Sequence, residues 1–108
     1  MYIKQIIQNF VDTYRIAKPI YENGTEVFEN NLPLYPNYED FYKVFVWLYN
    51  KNPEIIKKFE NLNDFASLLE LIDMLEPIKE SLSEESKNVF DVILKMLQLI
   101  SLCRRYRC

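Results

Sequence analysis

Apolar side chains recur every three or four residues in five segments of this 108-residue chain, and each segment is opened by a capping residue or closed by a proline. That period belongs to the α-helix, so the pattern predicts an all-α fold, a compact bundle of about five helices. A chain of this length forms one domain and can bury a core without covalent staples. The expected unit is a single helical domain over 1–108 with a short basic tail at 104–108.

The first helix is marked by Ile3, Ile6, Ile7, Phe10, Tyr14 and Ala17, with Val11 beside them and Lys4, Gln8, Asp12 and Arg15 on the other side. Pro19 is predicted to stop it. Asn23-Gly24 is a strong hairpin signal, and it predicts a short β-hairpin pairing 19–22 with 25–28. Residues 30–36 then read as an extended strap held to the helices by Leu32, Leu34 and Tyr35. Asn37 is placed to cap a second helix running to about Tyr49, with Glu39 and Asp40 at its positive end. Asn52-Pro53 opens a short third helix carrying Ile55, Ile56 and Phe59. Asn63 is the expected cap of a fourth, whose stripe is Phe65, Leu68, Leu69, Ile72 and Leu75. Pro77 ends or kinks that helix, and Ser81 or Ser83 with Glu84 begins the last and longest, which reaches about Arg105.

The residue inventory excludes much chemistry. With no histidine in the chain, the ordinary Ser/His and Cys/His nucleophiles and the commonest metal ligand are missing. A single glycine, Gly24, cannot build a loop that cradles phosphate. The carboxylate pairs Glu39/Asp40 and Glu84/Glu85 fall at helix starts, where acids are electrostatically favoured in any case. Cys103 and Cys108 have no further thiol or imidazole to complete a zinc site. Cys103 shares a stripe with Val89, Ile93, Met96 and Ile100 and reads as a small buried hydrophobe. On a continuous helix the two Cα atoms would lie more than ~7 Å apart, so no bridge between them is expected. No enzyme, cofactor or metal site is therefore predicted. The N-terminal segment is amphipathic and does not look like a secretory signal, and the apolar run from Val89 to Cys103 is interrupted by Asp91, Lys95 and Gln98. A cytoplasmic protein without membrane attachment is the expectation.

What remains is binding. The last eight residues hold three arginines and no acid, which leaves ten basic against sixteen acidic side chains in the first hundred. Residues 53–75 can be read as a helix-turn-helix, but 64–76 carry Asp64, Glu70, Asp73 and Glu76 and no Lys or Arg, so phosphates would repel that helix. Arg104, Arg105, Tyr106 and Arg107 could grip a single strand, or they could satisfy the negative end of the last helix. On the second helix the expected core stripe is Tyr38, Phe41, Tyr42, Phe45, Leu48 and Tyr49, which leaves Trp47 on the opposite side. Trp47 is then either covered by the strap or by a cation–π contact with Lys43, or it is an exposed anchor for a partner, together with Lys43 and Tyr42. The last helix has Phe90, Leu94 and Leu97 beside its main stripe, so it is either central in its own bundle or the seam of a homodimer. The function that best fits is a non-enzymatic protein-binding module. An inhibitor or immunity-type protein of viral, mobile-element or microbial origin is its concrete form, and a nucleic-acid-associated regulator using the arginine tail is the alternative.

Overall fold

The computed structural model describes residues 2–24 and 38–105, and for 18–24 the backbone alone. Five α-helices follow in order: α1 over Tyr2–Gly24, α2 over Tyr38–Lys51, α3 over Pro53–Lys58, α4 over Phe65–Leu75 and α5 over Glu84–Arg105. Single 3-10 segments, Phe59–Asn61 and Glu76–Ser81, lead out of α3 and α4. Among the described residues there is no strand.

The helix boundaries have local causes. Asn52 sits in extended backbone and its Oδ1 accepts the Glu54 N–H at 3.1 Å, while Pro53 takes the first helical position, where a missing N–H costs nothing. The cap of α4 is Asp64, one residue later than expected. Its Oδ2 accepts from the Ser67 backbone N–H at 3.4 Å and from the Ser67 hydroxyl at 2.7 Å. Of the two serines considered for α5, Ser83 is the cap, accepting the Ser86 N–H at 3.4 Å. Pro77 lies at the start of the second 3-10 segment, just past the end of α4.

Pro19 does not stop α1, and residues 19–22 are helical rather than the first strand of a hairpin. Proline removes one rung of the backbone ladder, but extending an existing helix needs no new nucleus, so the helix continues through it. The second expected strand, 25–28, and the strap at 30–36 lie outside the described residues.

The core is built around α5, which packs against α1, α4 and α2. Its buried side chains lie on nearly every side, and Lys95 and Gln98 with half-exposed Asp91 form a narrow polar strip. At the centre of the α1–α2–α3 side, Phe10, Phe45 and Phe59 are fully buried, with ring centroids 5.3 Å apart for Phe10–Phe59 and 4.9 Å for Phe45–Phe59. Phe41 completes the group, 6.5 Å from Phe10. No described polar or charged residue is buried, and no buried side-chain N or O atom among them lacks a partner.

Candidate interaction surfaces

The inward face of α2 is Phe41, Val44, Phe45 and Leu48. Tyr38 and Tyr49, expected on that stripe, are instead 47% and 42% exposed. The difference is a rotation of the buried arc. Val44 takes the inward place, and Tyr38, Tyr42 and Tyr49 form a flank beside α1, where the Tyr38 and Tyr42 rings stack at 6.1 Å. Tyrosine tolerates this position because its ring can cover apolar neighbours while its hydroxyl stays in water.

Trp47 lies on the other flank, half-buried against the edge of the core. A cation does cover its ring, but it is Lys51, one turn later, with Nζ 5.5 Å from the ring centroid. Lys43 is exposed and instead lines an open cleft of about 380 Å³ with Asp40, Val44 and residues 85, 86, 88 and 89 of α5. Tyr42 is thus set apart from the other two residues expected to act with it, since Lys43 and Trp47 are one turn apart on the same face of α2. Trp47 and Tyr42, five residues apart on one helix, point ~140° from each other.

The seam expected on α5 is filled from within the chain. Phe90 and Leu97 are completely buried and Leu94 is 8% exposed, which is the central-helix arrangement and leaves no face there for a second copy. The arginine tail is also partly committed. The Arg104 guanidinium donates through Nε to the Leu62 carbonyl at 3.3 Å and through Nη2 to Asn63 Oδ1 at 2.9 Å. Asn63, read from sequence as a helix cap, therefore serves as an anchor for the end of α5. Arg105 is exposed, and Tyr106 and Arg107 lie outside the described residues. Cys103 is buried as expected, but it is disulfide-bonded rather than a free thiol. The distance argument assumed that the helix continues to the end of the chain, whereas the described helix ends at Arg105.

Tyr2, Asp64 and Lys79 have perturbed titrations, each through a pair at the surface. The Tyr2 hydroxyl donates to Glu60 Oε1, and that hydrogen bond, with smaller contributions from burial and the neighbouring negative charge, pushes the phenol up to about 12. The Ser67 hydroxyl bonded to Asp64 lowers that carboxyl, and Asp91, 2.5 Å from Lys79, raises the ammonium by accepting its hydrogen bond. Among the described residues no group of three or more metal-ligating side chains converges, and no helix is long and apolar enough to cross a membrane.

No family model, curated protein or solved structure matches this chain. What it does must be argued from its own surface. Sequence periodicity missed Tyr2, Tyr49 and Ile16 as surface residues. Tyr2 and Ile16 could have been found, because both fall outside the arc defined by Ile3, Ile6, Ile7, Phe10, Tyr14 and Ala17.

Proposed function

We propose that the chain is a non-enzymatic protein-binding module whose contacts are made by the aromatic flanks of α2. The observation that carries this reading is that α2 has apolar side chains on three sides. One side is consumed by the core, and the other two leave Trp47 half-buried and Tyr38 and Tyr49 exposed. Aromatic side chains in such positions supply large contact area at low entropic cost and are the commonest interface anchors. The absence of histidine supports binding over the commonest form of acid–base catalysis. An inhibitor or immunity-type role is the form of binding consistent with so small an α-helical unit.

The test is recovery of a partner from the source cells with wild type, Trp47→Ala and a chain ending at Cys103. A binder through α2 loses the partner on Trp47→Ala and holds it as salt is raised. Loss on truncation together with a steep salt dependence would instead establish the arginine-tail, nucleic-acid reading.

A further inference from the structure

The end of α5 is held by two fastenings of different kinds. Arg104 binds the turn before α4, through Nε to the Leu62 carbonyl at 3.3 Å and through Nη2 to Asn63 Oδ1 at 2.9 Å. Cys103, the residue before it, is 2% exposed and disulfide-bonded. The sequence holds one other cysteine, Cys108, so a bridge within one chain closes a ring of six residues, Cys-Arg-Arg-Tyr-Arg-Cys. The last three residues of that ring lie outside the described residues.

This ring and a longer helix exclude one another. On a continuous α-helix, residues five apart have Cα atoms more than ~7 Å apart, beyond the usual reach of a disulfide. A bridged chain must therefore leave the helix between 103 and 108, and α5 is described as far as Arg105. No other stop signal stands there. Neither glycine nor proline follows Pro77, and arginine is among the better helix formers. The segment thus has two arrangements, a closed ring or a continuation of α5, and the bond between the two sulfurs decides which one is open to it.

We propose that a disulfide between Cys103 and Cys108 is a redox-sensitive switch, which ends α5 at Arg105 while intact and lets the helix run on through the arginine segment when reduced. The reaction is exchange with a dithiol. A thiolate of the reductant attacks one protein sulfur, forms a mixed disulfide there and expels the other sulfur as a thiolate, which takes up a proton. The second thiol of the reductant then displaces the remaining protein sulfur and closes its own disulfide, so two electrons and two protons pass to the protein. Burial of Cys103 directs the first attack to Cys108 and makes Cys103 the leaving group. What the switch changes is the display of charge. The ring confines Arg104, Arg105 and Arg107 to one closed loop, whereas a helix turns successive residues by ~100° and points the three in different directions. Neither cysteine lies on α2, so the switch stands or falls separately from the partner reading.

The experiment compares backbone NMR chemical shifts of the full chain, oxidised and after treatment with dithiothreitol, alongside the Cys108→Ser variant. Mass spectrometry of the oxidised protein is expected to show a 13.1 kDa monomer that takes up iodoacetamide at both cysteines only after reduction, with no denaturant present. The carbon shifts of Tyr106 and Arg107 are expected to be non-helical in the oxidised chain and to move toward helical values on reduction. Cys108→Ser should show the helical values with or without reductant. The urea midpoint of the oxidised protein is expected to lie about 1 M above that of the reduced protein, as closure of so short a loop implies. A disulfide-linked dimer overturns the proposal, since the bridge then joins two chains. So do shifts at 104–107 that coincide in the two redox states, whatever the midpoint does, because the bond then staples the fold without switching it. A bond that dithiothreitol opens only in denaturant also overturns it, because a switch must open in the folded protein.

Discussion

Replacing Phe10 by alanine is the sharpest test of the packing that holds α1 to α2 and α3. The Phe10 ring has no solvent exposure and meets three other rings, with centroids 5.3 Å from Phe59, 6.0 Å from Phe45 and 6.5 Å from Phe41. Truncating a buried phenylalanine costs about 3–5 kcal/mol through lost burial and the cavity left behind. The rigid, ring-lined surroundings cannot collapse easily, which places this site toward the upper end. A domain of this size has about 5–15 kcal/mol in total, so the variant keeps its fold only with a much reduced margin. In urea, with a slope of about 2 kcal/mol per molar, the midpoint should fall by about 2 M. The edge-on ring contacts predict coupling as well. A double-mutant cycle of Phe10→Leu with Phe59→Leu should give an interaction of about 0.5–1.5 kcal/mol. A loss below about 1 kcal/mol for Phe10→Ala would refute the reasoning, because a fully buried ring cannot be removed so cheaply.

Arg104→Ala removes two hydrogen bonds from a half-exposed guanidinium and should destabilise the fold by about 1 kcal/mol in thermal or urea unfolding, whereas a solvated tail residue would change nothing. The Tyr2–Glu60 pair contributes stability that is complete below pH 10 and is lost as pH rises toward about 12, because the folded state holds the phenolic proton more tightly; Tyr2→Phe should remove that slope from the alkaline limb of the unfolding profile. Asp64 acts at the other end of the scale, since its folded-state affinity for protons is lowered. Its stabilisation is present above its ordinary pKa of 3.8 and is lost as pH falls below it, and Asp64→Asn should flatten that acid limb. Denatured but unreduced protein should leave Cys103 unmodified by iodoacetamide, with labelling of that residue appearing only after reduction, as read by mass spectrometry.

Helix existence was legible because it depends on neighbours three and four positions away. Ile3, Ile6, Ile7 and Phe10 mark α1 whatever packs against it, and Asn52-Pro53 starts α3 through a side-chain bond two residues long. The width and exact direction of a buried arc are not local in this way. Val44 is inside and Tyr49 outside because α1, α3 and α5 meet α2 where they do, and the periodicity of α2 permits either choice. The apolar surplus of α5 shows the same thing at larger scale. Its residues announced that two faces needed cover, and only the arrangement of α1, α2 and α4 around it showed that the chain supplies that cover itself.

The candidate contacts divide along the same line. That Trp47 needed a neighbour followed from its place on the helix, but Lys51 rather than Lys43 covers it, because the rotamers that decide between two lysines a turn away are set by packing. Asn63 was legible as a polar residue at a helix start. Its use as an acceptor for Arg104, forty-one residues away, depends on the end of α5 arriving beside the turn before α4. Local physics, in the form of caps and the 3.6-residue period, determined where the five helices lie from sequence alone, but not the end of α1, which continues through Pro19 to Gly24. The tertiary structure decided which of their apolar faces stay in water, because a face is exposed only when no other part of the chain reaches it.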